Sequence, residues 1–379
     1  MTRFLAMGRM TDAMSLLRRF SVFHILGAYI LSIVGLFVIA QPFGSAPRAL
    51  CRWDCFWYER IAARGYDLHP ILDGFEAGMA DWAFFPLYPL LLRLVSYMTG
   101  MDGHESGMLI NIVLLPVLAL LSLSYVRRKG YVADHVAYWT ILFMVFPTAV
   151  WYRFPYTESL YGALLVGCAY AARVGSIGLA CGLAAGLCAT RPTGLVCVVS
   201  IGLFRMLGTW RPGVAGSARQ MGVRFLEGAA IIAVGATGLA AFILYLDRLT
   251  GDGLAFLHIQ YSWRHSTHLP TTWLWYGLTH KGLTVATVLD LLAFSIIPYG
   301  FYIGWYFEST VLLLTFGLAT SAGLSSVHRY VFANPFCLML ILTVIDKSTP
   351  LVRYSVLILA LCVDYILLES WFYGYAFLM

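Results

Sequence analysis

The stretch CRWDCFWYERIAARGYD, beginning at Cys51, gathers an acid, several arginines and large aromatics within an otherwise apolar chain. Its first acid, Asp54, has Leu50, Cys51, Trp57 and Tyr58 as its helical neighbours three and four residues away, and none of these is basic. An ionised carboxylate without a local partner, set among aromatics, is suited to accept a proton from a molecule brought to it. Glu158, in YTESLYG, opens an apolar run. There it either exploits the helix dipole or pairs with an arginine and orients a substrate. Arg191, His328 and Arg329 fall at the ends of apolar runs, and Arg264 lies among His258, His265 and His268 in LHIQYSWRHSTHLP. Three histidines invite a metal, but His265 and His268 have no carboxylate or cysteine nearby, so no cofactor is expected and a divalent metal stays open. Cys51 and Cys55 fit neither a zinc knuckle nor a thioredoxin-type pair, and are inert unless oxidised.

The elements that position these groups are membrane helices. The chain is 60% hydrophobic and 12% charged, against about 25% charged in soluble domains. Basic residues come singly or in twos and threes between apolar runs, with no long block of like charge, which argues against a nucleic-acid partner. The run from Phe20 to Ala40 is too long for a signal-peptide core and is expected to stay as a first helix. Further runs lie near 107–126, 133–150, 158–173, 176–190, 192–208, 225–247, 282–300, 302–322, 330–345 and 351–372. Together they predict an all-α polytopic membrane protein of one domain, 1–379, with about eleven spanning helices. The run at 84–99 contains two prolines and Arg93 and is expected to be re-entrant or interfacial.

Arginines before the first helix, RRK at 127–129 and the group from Arg205 to Arg224 place the N-terminus in the cytoplasm. The segments 41–106, 151–157, 248–281 and 323–329 then share the extracytoplasmic face. Arginines remain on that face, Arg48, Arg52, Arg153, Arg191, Arg264 and Arg329 among them, which points to an anionic partner on that side. Residues 45–65 are expected to form one helix, capped by Ser45 and ended by Gly65, whose stripe of Leu50, Trp53, Trp57 and Ile61 lies in the membrane interface. Glycines in GSIGLACGLAAGLCATRPTG allow close helix packing.

RWDCFWYERIAARGYD followed by WAFFPLYPLL resembles the paired motifs of PIG-V-type mannosyltransferases and their bacterial relatives. FPTAVWYRFPYTESLYGALL and ATRPTGLV are similar to two later segments of that family, and SSVHRYVFANP is a looser match. The resemblance implies a GT-C fold with an extracytoplasmic active site in a bacterial cytoplasmic membrane. It implies inverting transfer of a hexose, most often mannose, from a polyprenyl-phosphate donor, with Asp54 as the catalytic base. The long lumenal insertions of eukaryotic members are absent, which favours a bacterial glycolipid, glycan or protein as acceptor. In that setting Arg191, Arg329, His328 and Arg264 are expected at the donor phosphate. Trp53, Tyr58, Asp81, Glu158, His258 and Tyr261 are expected against substrate, within surrounding membrane lipid.

Two other classes use the same features: a transporter or flippase of a lipid-linked sugar, and a non-catalytic subunit of a glycosyltransferase complex. A transporter is expected to show internal repeats and midplane binding groups, whereas this chain shows no repeat and gathers its polar residues at one face. Asp290 and Asp364 fall inside apolar runs, where acids are costly and need partners.

Overall fold

The computed structural model describes residues 22–74, 76–130, 135–208, 217–264, 268–280, 284–321, 323–324 and 326–375. Within them there are helices and no strands. The chain opens with α1 (Val22–Phe43), α2 (Ala46–Leu50) and α3 (Asp54–Arg64), then loops to α4 (Leu87–Thr99) and α5 (Gly103–Arg128). There follow α6 (Val136–Val145), α7 (Glu158–Val174), α8 (Ile177–Cys188), α9 (Thr193–Leu207) and the long α10 (Ala218–Thr250). Short helices α11 (Ala255–His258), α12 (Gln260–Arg264) and α13 (Pro270–Thr279) lead to α14 (Thr284–Tyr302) and α15 (Tyr306–Ser321). The last are α16 (Val327–Phe332), α17 (Pro335–Asp346) and α18 (Pro350–Tyr373).

Five of these, α1, α5, α10, α14 and α18, are long and apolar enough to cross a membrane. Only 6% of the most apolar stretch of α1 and 17% of that of α18 are buried. Apolar faces of this length left uncovered need lipid around them, and the chain is an integral membrane protein. The other apolar runs form shorter helices: α6, α8, α9 and α17 have 10–17 residues.

Small residues bring the central helices together. A Cβ at Gly238 of α10 would stand 2.0 Å from the Ala185 carbonyl of α8, so only glycine permits this approach. Within the run at 84–99, Leu87–Thr99 forms α4, and the charge inside it has a use. Arg93 donates to the carbonyls of Ile61 (3.1 Å) and Ala62, closing the last turn of α3.

The single helix expected over 45–65 is broken at residues 51–53 into α2 and α3. The apolar stripe faces protein instead of the membrane interface. Leu50, Trp57 and Ile61 are buried, and Trp57 stacks on Phe84 with centroids 5.6 Å apart.

The four segments that the sequence assigns to one face meet at one end of the helices. Asp54 of the first touches Arg329 of the last, Tyr156 of the second bonds the Arg52 carbonyl, and Phe256 of the third packs on Phe85. At the opposite end of α5, Lys129 pairs with Glu308 at 2.5 Å over the Trp305 ring.

Candidate active site

Asp54 is the first residue of α3, and an unusual turn delivers it. Trp53 has φ 43° and ψ −109°, a conformation that L side chains rarely adopt. Such a residue costs on the order of 1–3 kcal/mol and persists only where its surroundings impose it. Three contacts do so here. Cys51 and Cys55 form a disulfide that brackets the turn, so the two thiols left unassigned in the sequence are paired. The Tyr156 hydroxyl donates to the Arg52 carbonyl at 2.9 Å, and the Trp371 indole donates to the Leu50 carbonyl at 3.1 Å. Trp371 also lies against Trp53 edge-on (4.7 Å) and stacks on Phe154 (3.5 Å).

Beneath Asp54 runs an alternating line of charge. Arg329 Nη2 donates to Asp54 Oδ2 at 2.8 Å. Arg329 Nε also stands 3.4 Å from Glu158 Oε1, and Arg191 Nη2 stands 2.5 Å from the same oxygen. Aromatic faces insulate the line: the Tyr330 ring lies 5.6 Å from the Arg329 guanidinium and 5.3 Å from that of Arg191. Tyr156 and Tyr161 close the other sides at 5.2 and 5.5 Å. Side-chain exposure falls from 23% at Asp54 to 5% at Arg329 and 1% at Glu158. Asp54 is thus the solvent-facing member of a cluster otherwise inside the protein. The ion pairs do not exhaust its hydrogen-bonding capacity. Among the described residues, Arg329 Nη1 and Glu158 Oε2 are buried without a hydrogen-bond partner.

Local sequence explains the placement of each member. Glu158 opens α7, and Asn111 of α5 donates to the carbonyls of Phe154 and Tyr156, fixing the turn before it. Arg191 precedes α9 in the RPTG turn and donates from Nε to the Thr157 hydroxyl. Gly194 of that turn is required by space, since a Cβ would stand 2.2 Å from the Leu187 carbonyl. Arg329 sits on α16, entered through Ser326 at φ 67°. Asn111, Thr157, Tyr330 and Trp371 support the cluster without having been singled out in the sequence. Their signal there is weak, because an aromatic or a lone Asn in an apolar run reads as packing.

Other predicted residues divide between the cluster and its margins. Tyr58 is buried beside Asp54, Arg191 and Glu158 and hydrogen-bonds Thr157; burial raises its hydroxyl well above the ordinary phenol range. Asp81 is buried in the loop between α3 and α4, where its carboxylate accepts from the Asp67 N–H at 3.1 Å. Burial lifts its pKa to about 6, with that hydrogen bond opposing. His328 is held deeper, its backbone N–H 2.8 Å and its ring 3.2 Å from Asp290 Oδ1. Asp290 thereby gains the partner its apolar run requires, as Asp364 does from Arg153 at 2.7 Å. His258 is exposed and pairs with Asp252 at 2.6 Å, and Tyr261 is 72% exposed. The Arg264 side chain and His265 lie outside the described residues.

Cys51, Cys55, Glu59 and His104 bring possible metal-ligand atoms within 4.8 Å of one another. With the sulfurs joined to each other, neither can bind as a thiolate, and Glu59 is engaged with His104. This group does not fit a zinc ion in its disulfide form.

No protein-family model matches the chain, and no curated protein matches it in sequence. Among solved structures it is similar to the crystal structure of the Archaeoglobus fulgidus oligosaccharyltransferase in complex with Zn and sulfate, at TM-score 0.51 and 14% identity. The fold is of the GT-C type. The match covers 92% of this chain and 53% of that one, so this chain spans about half the length of the structure it resembles. At this identity the likeness is one of fold, covering nearly the whole chain.

Proposed function

We propose that this GT-C protein is an inverting glycosyltransferase that moves a hexose from a polyprenyl-phosphate donor to an acceptor hydroxyl, with Asp54 as general base. The PIG-V-type resemblance makes mannose the sugar and the extracytoplasmic face of a bacterial cytoplasmic membrane the location. The acceptor is a glycolipid, glycan or protein. The observation that carries this reading is the solvent-facing Asp54 carboxylate, fixed at one oxygen by a buried arginine.

The acceptor hydroxyl gives its proton to Asp54 Oδ1, the oxygen not bonded to Arg329. Its oxygen attacks C1 of the sugar from the face opposite the phosphate. The C1–O bond breaks, and the polyprenyl phosphate leaves with the electron pair. Arg329 orients Asp54 and, with Arg191 and Glu158, fixes that orientation from below. A preorganised cluster of this kind needs no rearrangement as charge develops. His328, Asp81, His258 and Tyr261 lie at the margins of this cycle, and Tyr58 belongs to the wall behind Asp54.

Mass spectrometry of lipid-linked sugars after deletion of the gene tests the assignment. A polyprenyl-phosphate hexose is expected to accumulate. An unchanged pool contradicts a donor of this class.

A further inference from the structure

Against the Trp53 turn that delivers Asp54 lies an open groove of about 420 Å³. Its walls include Phe43, Arg48, Arg52, Trp53, Phe56 and Gly374. Phe43 ends the first membrane helix, and Gly374 caps the last. The two ends touch, with the Phe43 ring 5.3 Å from that of Phe372 and 5.0 Å from that of Tyr373. The groove therefore sits where two spanning helices leave the hydrocarbon, the depth at which lipid phosphates lie. Alongside it, about half of the described α1 residues are exposed and few are fully buried, which leaves a lipid chain a way in.

Charge distinguishes this groove from the cluster beneath Asp54. There, two guanidinium groups face two carboxylates, and the sum is neutral. Arg48 and Arg52 make no ion pair among the described residues. Arg48 is exposed. Arg52 donates through Nη2 to the Phe372 carbonyl, and its buried Nε has no hydrogen-bond partner among the described residues. A Cβ on Gly374 would stand 3.0 Å from Arg52 Nη1, so the glycine keeps room for that guanidinium. Guanidinium groups suit phosphate through paired N–H donors, and the aromatic side chains offer apolar surface to the first isoprene units.

We propose that this groove seats the phosphate of the polyprenyl-linked donor, with Arg48 and Arg52 as its cationic ligands. The inference rests on the glycosyltransferase reading and gives its donor a place. Trp53 forms part of the wall and directly precedes Asp54, so a phosphate bound here holds the sugar next to the base. Arg191 and Arg329 then act on the carboxylates, and the phosphate charge is answered by a separate pair of arginines.

The test is binding of sugar-free polyprenyl phosphate to the full chain in phosphatidylcholine nanodiscs, with phosphatidylglycerol as competitor. Arg48→Gln/Arg52→Gln is expected to raise Kd at least tenfold, and Arg48→Lys/Arg52→Lys to restore part of the affinity. Arg48→Glu alone, at an exposed position that leaves folding intact, is expected to raise Kd several-fold. Wild-type binding with no change in either charge-removing variant overturns the groove and leaves the transferase reading standing. No binding by wild type removes the donor class, and the groove with it. Equal competition by phosphatidylglycerol marks a general headgroup site and overturns the proposal.

Discussion

Asp54 and Arg329 are 275 residues apart in sequence and joined by a 2.8 Å charged hydrogen bond. The pair ties the start of α3 to α16, and Glu158 and Arg191 extend it to the start of α7 and the turn before α9. Three separated loops thereby hold one carboxylate in one orientation. The same arginine contacts one Asp54 oxygen, and in the proposed reaction the other takes the acceptor proton.

The Glu158–Arg191 pair is buried, so removing one partner leaves an uncompensated charge. Glu158→Gln and Arg191→Met are each expected to cost about 3–5 kcal/mol of stability. The double variant is expected to cost clearly less than their sum, because both charges leave together. Unfolding of all three proteins in detergent checks this, and additive costs contradict coupling through this pair.

Asp81 supplies a pH dependence of definite sign. Burial holds its folded pKa at about 6, above the ordinary value of 3.8. Between those values the folded protein keeps a proton that the unfolded chain releases. Its contribution to stability is therefore full below the unfolded pKa and lost as pH rises through about 6. Asp81→Asn keeps an oxygen for the Asp67 N–H and never ionises. Its melting temperature is expected to fall less than that of wild type between about pH 4 and 7. Parallel melting curves across that range contradict the assignment.

The disulfide is open to direct counting. The chain has eight cysteines, of which six are free, so denatured protein is expected to take six alkyl groups without reductant and eight after it. Closing so short a loop is worth at most about 2 kcal/mol. The larger effect of Cys51→Ala/Cys55→Ala is expected on turnover, because the turn that aims Asp54 loses its clasp. Eight alkylated cysteines without reductant contradict the bond.

Much of this arrangement is legible in the sequence. Asp54 stands out as an unpaired acid among aromatics, Glu158, Arg191 and Arg329 as charged residues at the ends of apolar runs, and basic-residue topology puts them on one face. Local spacing also shows that Asp54 lacks a helical partner, although it does not reveal the arginine that serves in its place. The break at 51–53 is hidden because no glycine or proline marks it. Tertiary contacts from Tyr156, Trp371 and the disulfide impose it instead. The stripe of Leu50, Trp57 and Ile61 has the period of an interfacial helix, and period alone does not distinguish lipid from α4 as its cover. The partners of Asp290 and Asp364 come from His328 and Arg153, on segments far along the chain.

The most direct measurement compares wild type and Asp54→Asn for transfer of labelled mannose from polyprenyl-phosphate mannose in proteoliposomes, with donor binding measured on the same samples. Asparagine keeps an oxygen for Arg329 and cannot take the acceptor proton. Transfer is expected to fall about 10²–10⁴-fold, with donor affinity within about a factor of three of wild type, since Asp54 leaves the phosphate site intact. Undiminished transfer by the variant contradicts Asp54 as the base.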